Sequence, residues 1–318
     1  MAIFTGAGVA IVTPFHADGS VNYEKLDQLI DYHCENGTDS IIICGTTGES
    51  ATMTEKEHIE VIKHTIDHTK KRIPVIAGTG SNSTHTAIEL SKEAAEYGAD
   101  GLLIVTPYYN KASQQGLFLH FNECARSTRL PVILYNVPSR TGVNIYPATY
   151  KRLSETENIV AVKEASGNFS QMAKIASLCK EDLAIYSGND DQITSSLALG
   201  GKGVISVLSN LVPNETHAIC TSYFRGNSEE SDNLQLKYLE LIEALFLDVN
   251  PIPVKQAMRA MGYDVGPCRL PLCDMDRTMA EKLYAVLEKY DLTESSKRQG
   301  SVTVHMPGNT GTVLKHNV

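Results

Sequence analysis

The sequence predicts an α/β protein in which eight parallel strands close into a (β/α)8 TIM barrel, with a small C-terminal helical appendage. Short apolar runs alternate regularly with amphipathic helical stretches along the chain. The runs are apolar on both faces, as buried parallel strands are. Eight strands, each followed by a helix, close most naturally as a barrel. A doubly wound sheet is the weaker alternative, because no Gly-x-Gly-x-x-Gly follows the first strand.

The predicted strands are rich in Val, Ile and Leu. In chain order they are Val9–Val12, Ser40–Cys44, Pro74–Ala77, Gly101–Val105, Pro131–Tyr135, Ile159–Val162, Leu183–Tyr186 and Gly203–Val207. The periodicity between them predicts helices such as Tyr23–Asn36 and Thr54–Lys70. Thr54 is followed three residues later by Glu57, which is the pattern of a capping box.

More helical sequence follows the eighth strand than a barrel needs. The predicted helices there are Asn214–Phe224, Glu229–Asp248, Pro253–Met261 and Asp276–Tyr290. We therefore predict a barrel domain over residues 1–225 and a C-terminal helical domain over 226–294. Residues 295–318 carry Gly, Ser, Thr and Asn with little periodicity, and we expect a disordered tail that is foreign to the fold.

Composition narrows the class of protein. The 318 residues are 42% hydrophobic and 20% charged, which is typical of a soluble globular protein. The stretch Met1–Gly6 lacks the charged and apolar regions of a signal peptide, so we expect none. No apolar run has membrane-spanning length, and the seven cysteines lack any Cys-x-x-Cys spacing. These features indicate reduced thiols and a cytoplasmic location. A net charge of −9 argues against a nucleic-acid partner, and it means that an anionic substrate must be held by local cations.

Lys163 is the most informative residue of the chain. It follows the apolar run Ile159–Val162 and precedes a turn, so the end of a buried strand carries an amine into a cavity. Lost hydration favours the neutral amine, which attacks carbonyl carbons to form a Schiff base. The competing interpretation is a lysine that ends a strand and extends its amine to water.

Polar residues follow the other strands, where the chemistry of such barrels is located. Gly45-Thr46-Thr47-Gly48-Glu49 combines glycines for a tight turn with two hydroxyls, and it is a candidate cradle for a carboxylate. The alternative is a turn that caps the next helix.

Two further candidates lie at the end of the fifth strand and in the loop after it, Tyr135 and Arg140. Tyr135 ends that strand, so its hydroxyl can relay protons at Lys163, although a core aromatic is the alternative. Arg140 lies in a short Pro/Ser/Gly loop, where a guanidinium can bind a carboxylate or simply lie on the surface.

Asp190 and Asp191 follow the seventh strand and could suggest a metal. No histidine lies nearby at ligand spacing, so we interpret them as acids in the first turn of a helix. We predict no metal and no organic cofactor.

These motifs recur in order at the ends of successive strands, and together they resemble the dihydrodipicolinate synthase (4-hydroxy-tetrahydrodipicolinate synthase) family of pyruvate-dependent class I aldolases. The resemblance covers about residues 4–292. The stretches that carry it are Gly45–Ser50, Tyr135–Gly142, Val162–Ala165, Gly203–Ser206, Asn250–Lys255 and Arg269–Leu272.

The resemblance implies a lyase of lysine biosynthesis that condenses pyruvate with L-aspartate 4-semialdehyde, without a cofactor. Lys163 would form the imine, and Tyr135, Thr47 and Tyr109 would relay protons, with Tyr109 entering from a neighbouring subunit of a homotetramer. The resemblance also implies that Thr46 and Thr47 bind the pyruvate carboxylate and that Arg140 binds the semialdehyde carboxylate. Gly188 and Ile205 would line the pocket through backbone groups.

The resemblance also implies a candidate allosteric lysine site at the subunit interface, formed by Ser50, Ala51, His58, Asn82 and Tyr108. Lysine-inhibited members tend to have a histidine at the position of Glu55 and a glutamate at the position of Thr86. Because this chain has no carboxylate at position 86, a lysine ligand lacks a counter-charge there for its amine. We therefore expect weak or absent feedback inhibition.

Two other functions are compatible with the sequence. An N-acetylneuraminate lyase or a 2-keto-3-deoxy sugar-acid aldolase would use the same Schiff base with a polyhydroxylated substrate. Arg140 beside Thr141-Gly142 favours a compact carboxylated partner instead. A barrel that binds a keto acid as a sensor, without turnover, is the second alternative.

Overall fold

The computed structural model describes residues 2–179 and 182–294, and its centre is a closed parallel barrel. Each strand is hydrogen-bonded to the next, and the eighth pairs with the first. The strands are β1 Gly6–Ala10, β2 Ser40–Ile43, β3 Val75–Gly78, β4 Gly101–Val105, β5 Val132–Asn136, β6 Ile159–Glu164, β7 Ala184–Ser187 and β8 Gly203–Ser206. The predicted (β/α)8 barrel is confirmed.

Helices connect the strands and continue beyond the last one. They are α1 Tyr23–Glu35, α2 Glu55–Thr69, α3 Thr84–Glu96, α4 Gln114–Arg126, α5 Pro138–Thr141, α6 Pro147–Leu153, α7 Phe169–Cys179, α8 Ile193–Ala198, α9 Pro213–Phe224, α10 Ser228–Lys237, α11 Leu239–Ala244, α12 Ile252–Ala260 and α13 Arg277–Lys289. The hydroxyl of Thr54 caps α2 by accepting from the backbone N–H of Glu57 at 3.2 Å. The Glu57 carboxylate completes no capping box, because it forms a bidentate pair with Arg269.

Most element boundaries lie within two residues of the prediction, and two elements differ by more. The first strand begins at Gly6 rather than Val9, because its small residues fit where larger ones would not: a Cβ on Gly8 would lie 2.7 Å from Ile42 Cδ1. The predicted helix Glu229–Asp248 is divided at Tyr238 into α10 and α11. Tyr238 is buried and its ring stacks on Tyr290, with 5.5 Å between ring centres.

The pairing of β5 with β6 contains one extra residue on β6. Val132 pairs with Ile159, but Ile133 pairs with Ala161, so Val160 is left over. Such a bulge moves every later residue of the strand to the opposite face. Lys163 is therefore paired with Tyr135, and both side chains face the interior of the barrel.

Two layers of apolar packing surround the strands. Inside the barrel, alternate residues such as Ile42, Ile133 and Tyr186 form a buried cluster. Outside, a larger cluster lies between strands and helices, and it includes Leu241 of α11 and Val254 of α12. The C-terminal helices thus share the main core of the barrel, and the domain division at residue 225 remains a prediction. The predicted tail, 295–318, lies outside the described residues.

Among residues 2–179 and 182–294, none of the helices has the length and apolar character that a membrane span requires.

Candidate active site

The side chain of Lys163 lies inside the barrel near the carboxyl ends of the strands. It is 6% exposed, and its Nζ lies 4.4 Å from the centre of the Tyr135 ring, which is 7% exposed. Within the described part of the chain, Lys163 Nζ makes no hydrogen bond and no ion pair. The amine is thus held by burial and by the aromatic ring, without a carboxylate at contact distance.

Glu164, the next residue, points to the outer layer of the barrel. Its carboxylate accepts from the hydroxyl of Tyr150 at 3.0 Å, the side-chain amide of Asn136 at 3.1 Å and the backbone N–H of Ser166 at 2.9 Å. Burial and the neighbouring Glu164 raise the pKa of Tyr150 well above its usual value, so this phenol stays a donor. The Glu164 charge is thereby bound on the face opposite Lys163.

The loop after β2 has the form expected of a carboxylate cradle. It is closed by the backbone bonds Gly48 N–H to Gly45 O and Glu49 N–H to Thr46 O, both at 3.1 Å. The backbone N–H groups of Thr46 and Thr47 have no acceptor among the described residues, and they stand beside the two threonine hydroxyls. This loop therefore carries four potential donors, two backbone N–H groups and two hydroxyls.

A cavity of about 200 Å³ connects these groups. The predicted site residues that line it are Thr46, Thr47, Tyr135, Arg140, Lys163 and Gly188. Ile205 lies deeper in β8 and is not part of the lining, where Val207 takes its place. Phe246 and Asn250, which were not among the predicted site residues, line the cavity from the C-terminal region.

Tyr109 does not reach this cavity within one chain. Its side chain is 83% exposed, and its backbone has φ 71°, in the left-handed region that non-glycine residues seldom adopt. Tyr109 lines a second, more open cavity of about 960 Å³ on the same side of the barrel. Arg140 lines both cavities and so stands between them.

The second cavity also contains most of the candidate allosteric residues. Ser50, Ala51, His58 and Tyr108 line it together with Glu55 and Thr86, whereas Asn82 does not. His58 is buried and its Nε2 bonds the carbonyl of Gly78 at 2.7 Å. Burial lowers the pKa of His58, so a neutral ring that donates this bond is favoured.

Asp190 has a structural role near the cavity. It lies in a single 3-10 turn, Asp190–Gln192, and its Oδ2 accepts from the backbone N–H groups of Val207 and Leu208, both at 3.0 Å. Asp191 is exposed. Within residues 2–179 and 182–294, no group of three or more His, Cys, Asp or Glu side chains is arranged to hold a metal ion.

One fully buried ion pair lies beneath the cradle. Glu49 Oε1 and Lys255 Nζ are 2.8 Å apart, and neither side chain is exposed. Lys255 also donates to the carbonyls of Thr13 and Pro267, and Glu49 accepts from the backbone N–H of Arg269 at 2.9 Å. The available signal in the sequence was a lysine within the apolar stretch of α12.

Comparisons with other proteins show the family and the fold of the chain. The profile of the Dihydrodipicolinate synthetase family matches residues 3–290. A 4-hydroxy-tetrahydrodipicolinate synthase of Lachnoclostridium phytofermentans is 59% identical over 293 residues, which are 92% of this chain and 100% of the relative. The crystal structure of dihydrodipicolinate synthase from Aquifex aeolicus is 44% identical, with a TM-score of 0.89 over 91% of this chain and 99% of that one. A dihydrodipicolinate synthase variant described as monomeric is 42% identical, also with a TM-score of 0.89, over 91% of this chain and 98% of that one.

Proposed function

Because the chain belongs to the dihydrodipicolinate synthetase family, we propose that Lys163 is its Schiff-base lysine, with pyruvate and L-aspartate 4-semialdehyde as substrates. The chain is a lyase of the class I aldolase type and acts as a 4-hydroxy-tetrahydrodipicolinate synthase. The observation that carries the assignment to Lys163 is a buried amine beside the Tyr135 ring, in a cavity that also holds the Thr46–Thr47 cradle.

The first half of the reaction activates pyruvate. The neutral Nζ of Lys163 attacks the keto carbon, and the carbinolamine loses water to give an iminium. The backbone N–H groups and hydroxyls of Thr46 and Thr47 bind the pyruvate carboxylate. Tyr135 and Thr47 relay the protons of these steps, with Tyr109 of a neighbouring subunit completing the relay.

The second half joins the two substrates. The iminium draws electrons from the pyruvate methyl group, which loses a proton and becomes an enamine. The enamine carbon attacks the aldehyde carbon of the second substrate and forms the new carbon–carbon bond. The amino group of that substrate then attacks the iminium carbon, which closes the ring and expels the amine of Lys163.

Arg140 is proposed to bind the carboxylate of the semialdehyde. Arg140 lies on the short helix α5 and lines both cavities, which supports a guanidinium at the entrance to the Lys163 cavity. A planar guanidinium fits a carboxylate through two parallel hydrogen bonds. Backbone groups of Gly188 are proposed to line the pocket from the opposite side, and those of Ile205 to contribute from β8.

The two alternative functions are less well supported. Curated relatives with 51–59% identity carry the synthase name, which favours the synthase over a sugar-acid aldolase. A sensor without turnover would need none of the relay residues, yet Lys163, Tyr135 and Thr47 line one cavity here.

We propose that the enzyme works in the cytoplasm as a homotetramer built as a dimer of dimers. The exposed Tyr109 and the open second cavity support an interface on this side of the barrel. Residues 1–225 would form the catalytic barrel and residues 226–294 the C-terminal helical domain. Sedimentation equilibrium of the purified protein measures the assembly directly.

The deciding experiment traps the Schiff base. The protein is incubated with pyruvate and borohydride, digested, and mapped by mass spectrometry. We expect a single adduct on Lys163, and Lys163→Ala should lose both the adduct and most of the turnover with aspartate semialdehyde. An adduct on Lys111, Lys202 or Lys255 would reject the assignment. Comparing this turnover with sugar-acid cleavage separates the synthase from the aldolase.

A further inference from the structure

We propose that Asn250 is a positioning residue for Thr47 and fixes the direction in which the Thr47 hydroxyl donates its hydrogen bond. This inference rests on the proposed function, because it assigns Asn250 a part in holding the pyruvate carboxylate. Asn250 itself need not touch the reacting atoms. It acts through the threonine that does.

The contact between the two side chains is direct and buried. Asn250 is 5% exposed, and its Nδ2 donates to Thr47 Oγ1 at 3.0 Å. The other half of the same amide, Oδ1, is buried and has no hydrogen-bond partner among the described residues. Buried amide oxygens are rarely left unpaired, because desolvation then costs free energy without return. Within the described residues, the Asn250 side chain therefore forms its hydrogen bond through Nδ2, to Thr47.

The direction of this bond decides what Thr47 can do. A threonine hydroxyl has one hydrogen to donate and two lone pairs that accept. Because Oγ1 accepts from Asn250, its own hydrogen remains available for an acceptor in the cavity. A carboxylate accepts only, so a hydroxyl fixed as a donor is matched to pyruvate.

The backbone around Asn250 is anchored to the same loop that carries Thr47. Asn250 lies two residues before α12, whose Lys255 forms the buried ion pair with Glu49. Glu49 in turn lies two residues after Thr47. The segments 47–49 and 250–255 are therefore joined at both ends, once by the amide and once by the ion pair.

Asn250 also stands at the boundary of the two cavities and lines both. The wall of the catalytic cavity is thereby completed by a residue outside the eight strands and their loops. A substitution of Asn250 should therefore perturb the geometry of the Thr46–Thr47 cradle more than that of the barrel strands.

The test is a double-mutant cycle on kcat/KM for pyruvate. Asn250→Ala should lower kcat/KM for pyruvate by about tenfold. This corresponds to the net loss of one hydrogen bond to Thr47, which binds the pyruvate carboxylate. In a Thr47→Val background, where no hydroxyl remains to be positioned, the same substitution should change it by less than about twofold. KM for aspartate semialdehyde should stay near the wild-type value in Asn250→Ala.

The nearly isosteric variant Asn250→Asp tests the direction of the bond. An aspartate accepts where asparagine donates, so the Thr47 hydroxyl turns toward it and away from the substrate. We expect a larger loss for pyruvate than in Asn250→Ala, together with a lower melting temperature because a carboxylate is buried at this position. The borohydride adduct on Lys163 should persist at saturating pyruvate.

Asn158→Ala is the matched control. Its side-chain amide donates to the carbonyls of Ala125 and Leu130 at the opposite end of the barrel. This variant should lose stability and keep wild-type kinetic constants. Equal losses from Asn250→Ala with and without the Thr47 hydroxyl, or a comparable kinetic loss in Asn158→Ala, would overturn the inference. A wild-type protein that takes up no pyruvate label on Lys163 would overturn the proposed function and this inference together.

Discussion

Glu49 Oε1 and Lys255 Nζ are 2.8 Å apart, and neither side chain has any exposure to solvent. Lys255 Nζ also lies 4.5 Å from the centre of the Phe15 ring. Burial lowers the pKa of Lys255, and the adjacent Glu49 carboxylate opposes this shift. The two buried charges compensate each other. Their ion pair links the cradle loop to the C-terminal helices, although more than two hundred residues of sequence separate the two partners.

Breaking this pair should destabilise the protein strongly. Removing one partner leaves an uncompensated buried charge, so Glu49→Gln and Lys255→Met should each lower the free energy of unfolding by about 3–5 kcal/mol. The double variant should recover much of this loss, because neither charge remains. Urea unfolding followed by circular dichroism measures all three.

Lys151 and Asp182 provide the exposed comparison for that experiment. Their ion pair is 2.6 Å long, but both side chains are about half exposed, so Lys151→Met should leave the unfolding midpoint near the wild-type value. Additive losses in the Glu49→Gln/Lys255→Met double variant would contradict the proposed coupling.

Acid should destabilise the fold through His33. This histidine is fully buried, its Nδ1 bonds Thr38 Oγ1 at 3.0 Å, and burial lowers its pKa to about 3. In the unfolded chain the pKa of His33 is near 6.5, so the unfolded state binds more protons than the folded state between pH 3 and pH 6.5. His33 therefore does not destabilise the fold above about pH 6.5, and its destabilising effect grows as the pH falls toward 3.

The measurement is the melting temperature from pH 7 to pH 4 for the wild type and for His33→Gln. The variant should show a flatter dependence, whatever its stability at pH 7. His85 is exposed, and His85→Gln should follow the wild-type curve. Parallel curves for the wild type and His33→Gln would show that another group controls the acid transition.

Complementation tests whether Tyr109 acts across a subunit interface. Lys163→Ala and Tyr109→Phe are each expected to be nearly inactive. If each site takes Tyr109 from the neighbouring subunit, one site of a mixed dimer carries both substitutions and the other carries neither. Co-refolded subunits should therefore regain activity. If Tyr109 serves its own chain, mixing restores nothing.

Feedback inhibition by lysine should be weak or absent. The second cavity is lined by Thr86, which offers no carboxylate to a ligand's ammonium group. Activity should therefore persist in millimolar lysine, and Thr86→Glu should introduce sensitivity by supplying a counter-charge. Isothermal titration with lysine separates binding from inhibition. Complete inhibition of the wild type by millimolar lysine would refute this expectation.

Arg140→Ala should weaken the second substrate and spare the first. Losing hydrogen bonds to a charged group costs about 1.5–3 kcal/mol, so KM for aspartate semialdehyde should rise roughly 10- to 150-fold. Labelling of Lys163 by pyruvate and borohydride should be unchanged. Lys111 lines only the outer of the two cavities, and Lys111→Ala is the control cation. Equal effects of the two substitutions would deny Arg140 its specific role.

The sequence predicts which end of this barrel carries the candidate site, because parallel strands bring their carboxyl ends together whatever the loops do. Lys163, Tyr135 and Thr47 each lie at or just after such an end. Asn250 could not be found in this way, because 203 positions separate it from Thr47 and only the folded chain brings the two together. The left-over Val160 was equally hidden, since nothing in an apolar run marks which residue goes unpaired.

That left-over residue has a consequence for how such enzymes diverge. The five residues Ile159–Lys163 bring the lysine inside only because Val160 is left over. Paired without the bulge, the same residues would present the amine to the outer layer and Val162 to the keto acid. The rim of the barrel can therefore change to accept other aldehydes, provided that the pairing at its concealed base keeps the amine inside.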